Sequence, residues 1–357
     1  MREILTRLRT ARDRLRSAVG STESADREVA TDGGTTVGEG RGGSLRDALP
    51  VEWELIESSP FWLPPVVLAG FFVYGAIFWN AIISLTDWEG LSLSGADYSD
   101  LDLEMYGRLL QDGAFWQATQ NTVVLLVVFT LLCLVVGLLA AILIDQQIRF
   151  ENTFRTIYLL PMSLSFVVTA TMWAWMYNAR NGVLNTFLRV LNLEGVLVTL
   201  LKPEAINATV LQWLSWNTTA LPAVILALLW QFSGYAMVVF LAGLRAIPTE
   251  HYEAARVDGA STIRMYMRVI IPQLRASAVS ASVVLMVFAL KAFDFIFALR
   301  GDQPGANLDI LATMMYREAF TGGNEWAYGS AIAIVLFVLA LLIIAPYLYS
   351  EYKRGEL

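Results

Sequence analysis

The sequence predicts an all-α membrane protein of six transmembrane helices with both termini on the cytoplasmic side. Three observations carry this. First, the 357 residues are 56% hydrophobic and only 16% charged, with a mean hydropathy of +0.54. A soluble domain is about 45–50% apolar and about 25% charged, so this chain has too few charges to cover a water-facing surface. Second, the apolar residues gather into six runs long enough to cross a bilayer, which takes about 20 residues at about 1.5 Å each. Third, the basic residues divide unequally between the two sides those runs define.

The runs are Pro64–Leu85, Thr119–Ile144, Thr156–Tyr177, Ala220–Leu244, Ala276–Leu299 and Ala327–Ser350. The first three contain no charge, and the fifth contains Lys291 and Asp294. With both ends inside, segments 1–63, 145–155, 245–275 and 351–357 hold 18 of the 25 Lys and Arg. That is the bias that orients membrane helices. The outer loops 86–118, 178–219 and 300–326 hold 6 basic and 13 acidic residues, so the whole net charge of −7 faces outward.

Composition also excludes several function classes. One Cys (Cys133) and one His (His251) leave no intrachain disulfide framework, no Cys/His metal cluster and no neighbours for a nucleophile–histidine site. The acidic balance excludes nucleic acid as a partner. Arg outnumbers Lys 22 to 3. Acidic excess with little Lys fits a protein facing concentrated salt, as in a halophile, where screening lengths shrink to about 3 Å or less; a GC-rich genome would also favour Arg.

Residues 1–50 read as a basic amphipathic stretch followed by a disordered linker. Residues 1–20 place Ile4, Leu5, Leu8, Ala11, Leu15 and Val19 near helical spacing among Arg, either as a helix on the inner leaflet or as a solvated tail. They have no apolar core of the secretory-signal kind. Residues 21–46 are rich in Gly, Ser, Thr and acids. Residues 51–357 then form the six-span domain.

The inner loop 245–275 is the one organised polar segment. Pro248 and Thr249 predict a helix start with Thr249 as N-cap, and Glu250 and Glu253 fall in the first turn, where the helix dipole favours anions. Ala254 and Ala255 keep the helix thin, and Gly259 ends it. A second helix is expected from Ser261, with Ile263, Tyr266, Met267 and Ile270 on one face, and Pro272 precedes the next span. Helix, glycine break and helix make an elbow suited to passing force from a cytoplasmic partner.

Glu253-Ala254-Ala255, three residues, Gly259, nine residues, Val269, one residue and Ile271-Pro272 resemble the EAA loop of permease subunits of ABC importers, EAA-x3-G-x9-I-x-LP. Phe154–Pro161 leading to Trp173, Trp175 and Asn178 resembles the carbohydrate-uptake branch of that family, the maltose and glycerol-phosphate type. So do Trp230 to Tyr235 with Leu241–Leu244, Leu290–Asp294, and Tyr316 to Phe320. The likeness spans about 60–350; after Asp294 the family's T-x-GGP turn is replaced by Leu299–Pro304.

The resemblance implies a type I importer permease fold in the cell membrane that translocates a sugar or related polyol. It implies an ATP-binding subunit dimer, a second permease subunit forming a heterodimer, and an extracellular solute-binding protein. ATP and Mg would be used by the partner ATPase, with no cofactor, metal or catalytic residue on this chain, which has no Gly-rich phosphate loop. Glu253, Ala254, Ala255, Asp258, Gly259 and Pro272 would couple to the ATPase, with Glu253 making a polar contact to it.

Gln231, Ser233, Tyr235, Lys291 and Asp294 are candidates for the substrate path. Charges deep in lipid pair or face a cavity, so Lys291 and Asp294, three residues apart, form either a mutual pair or part of that path. Trp173, Trp175 and Tyr177 read as interfacial aromatics or as sugar-stacking faces. Asn178, Asn181 and Gly182 are expected to close span three. The rival reading is an ion-coupled secondary transporter of a small polar solute, which would carry inverted repeats and broken midplane helices; neither is evident in the sequence.

Overall fold

The computed structural model describes residues 53–354 apart from 91–95, 100, 147–148, 202–208 and 322. The basic stretch and linker at 1–50 lie outside the described residues. The chain divides into two compact units, one ending at Leu68 and one beginning at Ala69. The described part of the first is helical, within Trp53–Ala69, and carries Pro60, Pro64 and Pro65. The second opens with a wide π turn, Gly70–Tyr74, followed by helix Gly75–Ile83.

Five described helices are long and apolar enough to cross a membrane: Ser58–Ile83, Gly113–Asp145, Ala220–Ala246, Thr262–Arg300 and Trp326–Tyr347. They coincide with the predicted spans one, two, four, five and six. The expected third span is not one straight helix. Glu151–Ser163 and Phe166–Met176 meet at 98°, and only taken together are they long and apolar enough for a crossing. Pro161 lacks an N–H and starts a 3₁₀ turn at Leu160–Ser163. Leu164 and Ser165 are extended, and the Ser165 hydroxyl caps the new helix by accepting from the Val168 N–H. Hydropathy averages over such a break, so the run read as continuous.

The fourth span forms the centre of the bundle, with 67% of its most apolar window buried. Asp112 caps the second span, and its Ala118, Leu125, Phe129, Cys133, Gly137 and Ala141 recur at near-helical spacing toward the core. A Cβ on Gly137 would stand 2.5 Å from the Ala236 Cβ and 2.8 Å from the Met237 nitrogen, so the two backbones touch only because that position has no side chain. A Cβ on Gly234 would likewise meet the Tyr158 carbonyl at 2.6 Å. Phe129, Phe166, Phe288 and Phe295 surround Phe232 or one another in edge and stacked ring contacts, filling the space around the breaks in spans three and five.

The fifth span is also interrupted. Helix Arg275–Leu290 ends on Lys291, and Phe293–Arg300 begins after Ala292. Of the two readings of Lys291 and Asp294, the mutual pair is not formed: among the described residues no ion pair joins them, and the turn at Lys291–Ala292 interrupts the helix between them.

A second core on the outer side joins Met105, Leu109, Phe115, Leu311, Met314, Tyr328 and Ile332. There Asn121 of span two donates to the Ala306 and Asp309 carbonyls at 2.9 and 2.8 Å. The Thr122 hydroxyl accepts from the Leu311 N–H. The Asp309 carboxylate takes the Arg317 guanidinium at 2.6 Å and the Thr313 hydroxyl at 2.8 Å. Burial draws the Arg317 charge down, but Asp309 and Glu318 outweigh it and hold Arg317 above its ordinary value. Asn121→Leu strips both carbonyls of their donor while leaving the helix intact. It should cost about 2 kcal/mol, read as a lowered unfolding temperature of the detergent-solubilised protein.

Candidate functional site

The inner loop folds as an elbow. Its first helix is Thr249–Val257, with Glu250 in the first turn. The N-cap is Pro248 rather than the expected Thr249, whose hydroxyl makes no capping bond; the proline's fixed, extended backbone already turns the chain into the helix. At the other end Asp258 is the C-cap and Gly259 takes φ +72°. The Gly259 N–H donates to the Arg256 carbonyl and the Ala260 N–H to the Ala255 carbonyl, each at 3.0 Å. That pair of bonds is a Schellman stop, which needs a left-handed residue where Gly259 stands.

The chain restarts at Ser261, whose hydroxyl accepts from the Arg264 N–H. The second helix is short, Thr262–Met265, and passes through a π turn at Tyr266–Ile270 into a 3₁₀ turn at Ile271–Leu274 holding Pro272. The π turn shifts the phase of the side chains. Met265, Ile270 and Leu274 are buried and Tyr266 is half-buried, whereas Ile263 is 78% and Met267 63% exposed. The expected single apolar face of Ile263, Tyr266, Met267 and Ile270 is therefore divided between core and surface.

Of the residues expected to couple, Ala255 is buried under the elbow, and Glu253, Ala254, Asp258, Gly259 and Pro272 are exposed. The elbow also exposes the apolar Val257 (87%), Ile263 and Met267, of which sequence reasoning did not single out Val257. The signal was present as apolar residues in a loop assigned to the water side.

A cleft of about 630 Å³ lies between the elbow and the inner ends of spans two and four. Asp145, Arg245, Tyr252, Glu253, Arg256 and Tyr266 line it. Arg245 is ion-paired with Glu151, which ties the end of span four to the inner half of span three. The Tyr252 phenol is pushed up to about 12 by burial and by the charge of Asp145, so it stays protonated. The site holds no nucleophile–base pair. Its parts are a capped helix, a fixed bend and a mixed apolar and charged surface, which suit docking and the transmission of force.

The candidate path residues stand apart from this elbow. Gln231 is buried and donates to the Leu164 carbonyl at 2.8 Å, satisfying a group freed by the break in span three. Ser233 is buried against the Tyr158 hydroxyl at 2.9 Å. Tyr235 is half-buried, and Lys291 and Asp294 are exposed on this single chain. No hydrogen bond or ion pair among the described residues joins these five to one another. At the end of span three, Asn178 accepts from the Arg180 and Asn181 N–H groups and its carbonyl takes the Gly182 N–H, forming the expected turn. On the outer side Asp87, Asp102 and Glu104 come within reach of one another and are all exposed.

Five long apolar helices and a bent apolar pair, joined to a capped inner elbow, define a multi-pass membrane protein. Residues 133–350 match the family described as the binding-protein-dependent transport system inner membrane component, and the chain belongs to that family. It is 53% identical over 305 residues to the xylose/arabinose import permease protein XacH of Haloferax volcanii, covering 85% of this chain and 90% of that one. It is 30% identical over 246 residues to the trehalose/maltose transport system permease protein MalF of Thermococcus litoralis, covering 69% and 78%. A chain of the bacterial alginate ABC transporter, solved in complex with an alginate pentasaccharide-bound periplasmic protein, shares the fold. Its TM-score is 0.68 at 20% identity, over 87% of this chain and 98% of that one.

The chain is thus a multi-pass permease subunit of an ABC importer, working with a substrate-binding protein and with a separate subunit that hydrolyses ATP.

Proposed function

We propose that this chain forms half of the pore of a sugar or polyol importer and that the ATPase docks on its elbow. The observation that carries the docking reading is the Schellman-stopped helix with Glu253, Val257, Asp258 and Gly259 exposed, followed by exposed Ile263 and Met267. An ATPase dimer using ATP and Mg would grip this elbow and that of a second, different permease subunit. Its closure would swing the spans between inward- and outward-facing states. The relatives that import xylose/arabinose and trehalose/maltose support a sugar as the solute. Tyr235, Lys291 and Asp294 would line the path, while Gln231 and Ser233 would hold the break in span three beside it.

Uptake of labelled pentoses, hexoses and disaccharides by a strain lacking the gene, with and without the gene restored, tests this. Restoration of one sugar class, lost on ATP depletion, is expected. Uptake that persists after ATP depletion and follows an ion gradient would instead support a secondary transporter.

A further inference from the structure

The predicted outer loop 178–219 contains two helices that no function above uses, Val183–Val190 and Glu194–Leu201, joined by a sharp bend of 113°. Each has eight residues, about 12 Å long, less than half of a hydrocarbon core of about 30 Å. The pair is apolar enough to pass as a broken span. One side of it packs on a small separate core of Val198, Leu211 and Trp216. The other side exposes Phe187, Val190, Leu191, Leu193, Val196 and Leu200, with Val190 and Leu200 each about three-quarters open.

Most polar groups of this hairpin are paired within it or with its flanking segments, the buried Glu194 Oε1 excepted. Its two charged residues, Arg189 and Glu194, face each other at 3.6 Å, with the glutamate buried. At the bend the Leu191, Asn192 and Leu193 N–H groups donate to the Phe187, Arg189 and Leu188 carbonyls. Fully buried Asn185 donates to the Ala179 and Leu211 carbonyls at 3.0 and 2.8 Å and accepts from the Trp213 indole at 2.8 Å. This clamps the hairpin to the segment that follows it. A piece of chain with its backbone satisfied, its charges paired and an apolar face turned outward is built to enter a lipid boundary.

We propose that this hairpin lies in the headgroup–acyl boundary of the outer leaflet and anchors the outer half of span three to the bilayer. Three observations favour lipid over a protein partner. The hairpin begins seven residues after Met176, where the outer helix Phe166–Met176 ends, and that helix also exposes Val167, Val168 and Trp175. Trp175, 62% exposed, stands near the outer end of that helix, where aromatics mark a membrane interface. The outer loops carry 13 acidic residues, yet the hairpin's one acid, Glu194, is paired with Arg189, and Arg180, which suits anionic headgroups, precedes the hairpin in sequence. The bent pair is therefore neither a seventh crossing nor a solvated loop.

Spin labels on Val190→Cys and Leu200→Cys test this in the full chain, purified with its partner subunits and reconstituted in vesicles of phosphatidylcholine and phosphatidylglycerol. Cys133 is buried, so labelling follows the introduced thiol, and Asp97→Cys on the exposed outer loop gives the water reference. Labels at 190 and 200 should collide with oxygen, relative to a water-soluble nickel complex, several-fold more than the label at 97. A ratio equal to that at 97 would overturn the anchor in favour of a solvated loop. Exclusion of both reagents would overturn it in favour of a protein covering this face.

Discussion

Gly259→Asp is expected to abolish solute uptake while leaving the protein in the membrane at its normal level. Nothing lies within 4 Å of the place where a Cβ at position 259 would stand, so the substitution meets no steric barrier. Its cost to the fold is the left-handed conformation, about 1 kcal/mol for a residue with a Cβ, plus a carboxylate at the negative end of the helix dipole beside Asp258. That is too little to unfold a six-span bundle. The same carboxylate would sit on the face where a partner must approach closely, and its burial there without a cationic partner is far more costly. Uptake by intact cells, set beside the amount of the chain in isolated membranes, separates the two effects. Normal transport by a Gly259→Asp protein present at the normal level would remove the elbow from the coupling account.

Gly137→Leu is expected to have the opposite signature, loss of the folded protein itself. The missing side chain lets span two lie against the backbone of span four at Ala236 and Met237. A leucine there must either push apart the two most extensively packed helices or be driven off its rotamers. Overpacking of a tight core costs about 1–3 kcal/mol where neighbours yield, and the nearest atoms here include a backbone nitrogen at 2.8 Å, so the upper end or more is expected. The measurement is the fraction of monodisperse protein after detergent extraction and its unfolding temperature, both of which should fall sharply. An unchanged Gly137→Leu protein would mean that spans two and four do not approach as described.

Hydropathy and charge bias were enough to locate the crossings, because twenty apolar residues in a row have few other places to go. They were not enough to locate breaks. Pro161 and Ser165 carry the signal for the 98° turn in span three, but a window average does not weigh one missing N–H. The interruption at Lys291–Ala292 has no proline or glycine to announce it, and it separates Lys291 from Asp294. In the elbow the Gly259 stop was legible, since few residue types accept positive φ. The division of Ile263 and Met267 from Ile270 was not, because it depends on a π turn that helical spacing cannot foresee. The roles of Gln231 and Ser233 were hidden for a related reason. Their partners, Leu164 and Tyr158, belong to the broken span and lie 67 and 75 residues away in sequence.

The acidic outer side has a parallel reading. The sequence assigns the whole net charge of −7 to the outer loops. The inner segments, by contrast, sum to zero charge, with 18 basic and 18 acidic residues.

Affinity purification of the tagged chain from its own membranes tests the central claim most directly. The wild-type chain should bring down a subunit with ATPase activity in about equal amount. Glu253→Lys should lose that subunit while Asp97→Lys, on the outer side, keeps it. Retention of the ATPase by Glu253→Lys and Gly259→Asp alike, with uptake unimpaired, would contradict the assignment of the elbow as the motor's handle.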